Sequence, residues 1–141
     1  MRNVFPYEKG QWYPHMSKDE VELWERFIIK FPDAYTSCQY DFHIGEAPPF
    51  NTLMDDDEDR NQDMLYRLRI DVVGRNLNDV DIIEIKKNAG LTAIAQATNY
   101  RKLYMRDEEP IGKVGMVIIT DKERPNMDYL CKKNDIILIV V

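Results

Sequence analysis

Apolar residues recur with two different periods along this chain, and the switches between them divide it into elements. Val21, Trp24, Phe27, Ile28 and Phe31 fall at the three- and four-residue spacing of a core-facing helical stripe. Ser17 with Glu20 three residues on is a capping-box pattern that starts this helix, and Pro32 stops it. Tyr40, Phe42 and Ile44 then alternate with Gln39, Asp41 and His43, which predicts a strand over 35–45 whose polar face, with Asp41 and His43, meets water, reaching the cleft being the alternative. Two apolar runs follow, 68–73 closed by Gly74, and 80–85. The turn formers of Arg75–Asp79 separate them, so they read as an antiparallel hairpin with a five-residue or slightly shorter connection. Asn88-Ala89-Gly90 is a turn before a helix from about Leu91 to Met105, with Ala93, Ala97, Tyr100 and Tyr104 on its inner face. Asp107 to Pro110 reads as a loop. Val114–Thr120 predicts a strand parallel to the 80–85 run after a right-handed crossover. A short helix over 126–133 and a final buried strand over 136–141 complete an α/β pattern.

Two stretches lie outside these periods. Residues 1–16 form an N-terminal arm carrying Phe5, Pro6, Tyr7, Trp12, Tyr13 and Pro14, expected to pack across the domain, with docking on another subunit as the alternative. Residues 46–63 hold Pro48-Pro49 and the run Asp55–Asp59, and like charges in sequence favour a solvated loop insertion. The run lacks the sixth-position glycine and twelfth-position glutamate of an EF-hand loop.

Composition narrows the class. At 141 residues the chain is expected to be one domain, 1–141, and 44% apolar residues are enough for an ordinary core. Cys38 and Cys131 have no metal-ligand spacing and read as reduced thiols of a cytoplasmic protein. No apolar leader follows Met1-Arg2-Asn3-Val4, and no run is long enough to span a membrane. The net charge of −6 argues against strong autonomous duplex binding, leaving Lys86, Lys87, Arg101, Lys102 and Arg106 as local basic candidates.

The candidate chemistry sits in the central hairpin. Asp71 lies inside one apolar run and Glu84 inside the next, at similar distances from the turn, so strand pairing brings both carboxylates to one end of one face. Acids within apolar strands are costly unless they meet partners or open on a cleft. Two carboxylates and the Ile85 backbone carbonyl make an oxygen site for a hard cation, Mg2+ or Mn2+. Such a metal polarises a phosphate and lowers the pKa of a bound water. Lys86, two residues beyond Glu84, is placed to handle that water or the developing charge.

Asp71, then Glu84-Ile85-Lys86 thirteen residues later, then Gln96-x-x-x-Tyr100 in the following helix, resembles the PD-(D/E)XK nuclease superfamily, in particular its RecB-like and Holliday-junction-resolvase-like branches. An isolated Glu-x-Lys triplet is common and explained by a solvated ion pair; it is the combination that carries the resemblance. Ile70 stands where the motif's name has proline. The resemblance covers about Ser17 to Val141 and implies a restriction-endonuclease-like αβββαβ core, a central mixed sheet flanked by helices. It implies one or two divalent metals and hydrolysis of nucleic-acid phosphodiesters, DNA first. A glutamate of the first helix would support the metal: Glu20, with Glu25 and then Glu22 behind it. The capping box by itself also accounts for Glu20. Gln96, Tyr100, Lys87 and Arg101 are the substrate-binding candidates.

Three functions are consistent with this pattern. One is a metal-dependent nuclease. The second is a non-catalytic structural protein on the same fold, phage-encoded and part of a particle or homo-oligomer. The third is a subunit that cuts only within a complex.

Overall fold

The computed structural model describes residues 3–46 and 68–141. The expected acidic insertion, apart from Glu46, lies outside these residues. The described elements run β1 (Phe5–Pro6), α1 (Lys18–Lys30), β2 (Ser37–Ile44), β3 (Leu68–Asn76), β4 (Asp79–Ile85), α2 (Leu91–Glu108), β5 (Val114–Thr120), α3 (Met127–Lys133) and β6 (Ile136–Val140). The fold is mixed α/β. Six strands form one sheet in the order β1-β2-β3-β4-β5-β6. The first three pairings are antiparallel, and β4–β5 and β5–β6 are parallel.

Successive strand residues point to opposite faces, and each face has its own core. Ile83 and Ile85 belong to the cluster that α1 covers with Leu23, Trp24, Phe27 and Ile28. Val80 and Ile82 belong to the cluster under α2, with Tyr100 and Tyr104. A third cluster joins Ala93, Ala97 and Ile94 of α2 to Met127 and Cys131 of α3 over Met116 and Ile118. Trp24 is fully buried, and its indole N–H donates to the Tyr40 hydroxyl at 3.1 Å. Both bonds of the expected capping box start α1. The N-terminal arm packs on the same side. Phe5–Pro6 adds an edge strand to β2, and the Tyr7 hydroxyl donates to the Phe31 carbonyl at 2.6 Å.

Four local expectations are corrected. Gly74 does not end its strand: β3 continues to Asn76 and the turn is only Leu77-Asn78. The Tyr35 ring lies over Gly74, where a Cβ would come within 2.6 Å of it, and the Tyr35 hydroxyl donates to Asp81 at 2.7 Å. Gly74 is therefore a packing site, not a turn residue. The second helix runs on to Glu108, stopping where Glu109 takes a left-handed φ of 46°. The last strand is a half-exposed edge rather than a buried strand, with Ile137 57% exposed.

The fourth correction concerns the polar face expected for β2. Tyr40 and Val72 lie in the α1 cluster, but Phe42 and Ile70, two residues along each strand, lie in the α2 cluster. Unbroken alternation would keep each such pair on one face. The ladder pairs Tyr40 with Val72 and Phe42 with Ile70, skipping Asp41 and Asp71, and Asp41 has a φ of 49°. Both strands change face at this one step, which leaves Asp41 outside both packed faces with its side chain only 13% exposed.

Candidate metal centre

The pairing of Val72 with Ile83 places Asp71 and Glu84 opposite one another at the next step. On its other side Asp71 stands opposite Asp41. Three carboxylates thus form one row across β2, β3 and β4, at the site of the face change.

Glu84 is 4% exposed, and its Oε1 has no hydrogen-bond partner among the described residues. Its carboxyl and that of Asp71 hydrogen-bond each other. The Ile85 amide donates to Asp71 Oδ2 at 2.9 Å. Burial raises the pKa of Asp71 to about 6, opposed by the Ile85 amide and reinforced by the charge of Glu20. Glu84 is pushed well above the usual carboxylate range, first by burial and then by the Asp71 charge beside it. A buried carboxyl pair of this kind holds a proton between its members because both cannot ionise cheaply in a low dielectric.

Glu20 acts electrostatically on both acids while its carboxylate accepts from the Ser17 amide at 3.2 Å. It therefore caps α1 and borders the site together. The two other candidates on α1 are engaged elsewhere. Glu22 pairs with Arg26, and Glu25 accepts from the Gly10 amide at 2.7 Å and the Tyr13 hydroxyl at 3.0 Å.

On the α2 side, Gln96 hydrogen-bonds Tyr100, whose phenol is raised by burial and then by the charges of Glu84 and Asp71. Tyr100 therefore lies within electrostatic reach of the acids, with Gln96 one turn before it on α2. Lys86 lies just past the end of β4, with its amide held by the Ile119 carbonyl at 2.9 Å and its side chain exposed. No ion pair joins it to either acid.

Two substrate-binding candidates are placed away from the acids. Lys87 lies on the α1 side, in a small cleft with Asp19, Glu22 and Asp121. Arg101 is five residues beyond Gln96, about 140° further round the helix. Its Nε donates to the Val114 carbonyl at 2.7 Å, and Val114 pairs with Val80, two repeats of the strand pattern before Glu84.

One group beside the acids belongs to the strand face whose favoured reading from sequence is solvent. Asp41 Oδ2 receives both His43 Nε2 at 3.2 Å and His15 Nε2 at 3.4 Å, and Arg69 stands 3.7 Å from Oδ1. The Asp41 charge also raises the pKa of Asp71. Its sequence signal was weak: a strand with Asp and His two residues apart reads first as a solvated face. Only the face change at Asp41 overturns that reading.

Among the described residues, no three His, Cys, Asp or Glu side chains are gathered into a metal cage. The Asp71–Glu84 pair nevertheless fits a hard cation. It offers oxygen donors, an orphaned buried oxygen and a proton that a cation would replace, with Glu20 within electrostatic reach. Comparison with protein-family models, curated proteins and solved structures finds no match to this chain. No helix among the described residues is long and apolar enough to cross a membrane.

Proposed function

We propose that this chain is a metal-dependent nuclease of the PD-(D/E)XK type, hydrolysing nucleic-acid phosphodiester bonds, with DNA the first substrate class to test. The observation that carries the reading is the buried Asp71–Glu84 carboxyl pair with its orphaned Oε1. Nothing in folding needs such a pair. Two apolar side chains in its place would avoid the desolvation cost. The chain order of α1, β2, β3, β4, α2 and β5 also supports the restriction-endonuclease-like arrangement. So does Tyr100, which feels the charges of both acids and carries Gln96 one turn before it.

In this reading Asp71, Glu84 and the Ile85 carbonyl hold Mg2+ or Mn2+, with Glu20 as the supporting carboxylate. When bound, the metal supplies charge for the phosphate and acidity for a water. The Ile85 amide fixes the Asp71 carboxylate beside Glu84. Lys86, free of ion pairs with the acids, is available to the water or to the charge that builds on phosphorus. Gln96 positions substrate, and Tyr100 closes the floor beneath it.

The test is cleavage of labelled DNA and RNA in Mg2+ or Mn2+, comparing the parent with Asp71→Ala and Lys86→Ala. Loss in both variants, with the fold intact by circular dichroism, is expected. Unchanged cleavage in either removes that residue's assignment.

A second reading is a phage-encoded assembly protein on this fold, acting in a particle rather than in the cytoplasm. The half-exposed edge strand Ile136–Val140 favours it, because unblocked apolar edges are sites of strand addition or homo-oligomerisation. In that case calorimetry with Mn2+ would give no binding to the folded protein.

A further inference from the structure

The chain carries 25 acidic and 19 basic residues, yet its cations are not evenly spread. A groove of about 810 Å3 runs between the second half of α2, the approach to β5 and the end of α3. Arg101, Lys102, Lys113 and Lys133 line it against a single carboxylate, Asp135. A lining drawn at random from this composition would be richer in acids than in bases.

The groove is also built rather than merely charged. The Arg101 guanidinium is fixed by its bond to the Val114 carbonyl, which leaves its terminal nitrogens for a ligand. The Lys113 amide is anchored by Asp79 Oδ1 at 2.8 Å. A Cβ at Gly112 would come within 2.1 Å of the Asn78 carbonyl, so the segment before β5 lies hard against the β3–β4 turn. Lys133 lies over the Tyr129 ring and makes no ion pair among the described residues, whereas its neighbour Lys132 is held by Asp128 at 2.9 Å. Helix α2 separates this groove from the acids, with Gln96 and Tyr100 on one flank and Arg101 on the other.

We propose that this groove is a backbone-binding site for a single nucleic-acid strand, separate from the metal centre. A fixed guanidinium with three mobile ammonium groups suits a row of phosphates, which present charge at regular intervals without requiring base contacts. The choice of nucleic acid over an acidic peptide rests on the nuclease reading. A groove remote from the acids also reconciles an overall acidic chain with a polyanionic substrate, since binding needs a local footprint rather than a basic whole.

The test is fluorescence anisotropy with a labelled twenty-nucleotide oligo-dT in EDTA, where no cleavage interferes. The parent is compared with a Lys102→Ala, Lys113→Ala, Lys133→Ala triple variant, and with a control triple at Lys9, Lys18 and Lys122. All three groove lysines are exposed, so the variant should melt like the parent. The groove triple should bind about tenfold or more weakly, with the slope of log K against log salt reduced by about 2 for three lost phosphate contacts. The control should bind like the parent. Equal binding by parent and groove triple, or no binding by the parent, overturns the proposal. Displacement by polyglutamate at equal charge as effective as unlabelled oligo-dT overturns the nucleic-acid assignment. Because the metal is absent, failure of the nuclease reading appears separately, as no Asp71-dependent cleavage when Mn2+ is restored.

Discussion

Replacing Asp71 by Asn should stabilise the metal-free protein at neutral pH. The substitution keeps the shape: the amide oxygen still accepts from the Ile85 N–H, and the amide nitrogen donates to the Glu84 carboxyl. What it removes is a buried charge. The folded-state pKa of Asp71 is raised from 3.8 to about 6, so the folded protein binds this proton more tightly than the unfolded chain. The contribution is therefore fully present below about pH 4 and is lost as pH rises through about 6. At 1.36 kcal/mol per unit, the carboxylate costs the native state up to about 3 kcal/mol at pH 8. Asn avoids that cost and also relieves Glu84 of its charged neighbour. For a chain of this size each kcal/mol moves Tm by roughly 2–4 °C. Asp71→Asn should thus melt up to about 6–12 °C higher than the parent near pH 8 in EDTA, by differential scanning calorimetry. The gain should shrink toward zero near pH 4, where both side chains are neutral. Millimolar Mn2+ should raise the Tm of the parent and not of the variant. A variant that melts at or below the parent at pH 8, or a gain that persists at pH 4, would refute the buried charge pair as the origin of the cost.

Other expected outcomes follow from single contacts. Leu77 is 91% exposed with a φ of 54°, a conformation costly for a side chain of its kind, so Leu77→Gly should raise stability by about 1 kcal/mol in urea titrations. Gly74→Ala should destabilise by about 1–3 kcal/mol, because the new Cβ meets the Tyr35 ring; a Tyr35→Ala, Gly74→Ala double variant should show non-additivity in the same assay. Trp24→Ala empties the centre of the α1 cluster and should cost about 3–5 kcal/mol. Glu20→Gln should lower the pKa of Asp71, read by NMR titration of its carboxyl carbon, because it deletes a negative charge acting on that group.

The sequence made the element order, the parallel crossover pairing and the central acids legible because each rests on local signals. Period, capping and turn residues act within a few positions, as at Ser17-x-x-Glu20. The end of β3 is not legible in the sequence, because Gly74 by its intrinsic preference reads as a turn residue. What holds it in the strand is Tyr35, nearly forty residues away in the chain, and no local pattern carries that information. Lys87 and Arg101 read as substrate-binding candidates from their charge, which carries no information on which side of the sheet each one lies. Their positions are set by the end of β4 and by the turn of α2, which point them to opposite sides of the sheet. Likewise the half-exposed β6 reads as buried because Ile and Val have the same pattern in an edge as in a centre.

The change of face at Asp41 and Asp71 connects the fold to the chemistry. A sheet buried on both sides offers no natural place for a carboxylate, and regular alternation would send Asp71 into the α2 cluster with Val73. The shift of both strands at one step instead gives an acid of each strand a position outside the two packed faces. One consequence is that Asp41 gathers His15, His43 and Arg69 beside the acids. A second is that the row of carboxylates depends on the left-handed φ at Asp41, which Asn tolerates and β-branched residues do not. Asp41→Asn should therefore keep the backbone switch, the facing of Asp71 and Glu84, and the fold, while weakening the hold on His15. Asp41→Val should restore regular alternation or unfold the strand pair. Mn2+ calorimetry on the two variants separates the possibilities: metal binding retained in Asp41→Asn and lost in Asp41→Val ties the site to the backbone switch. Binding retained in both, in proteins that melt like the parent, would make the switch incidental to the metal centre.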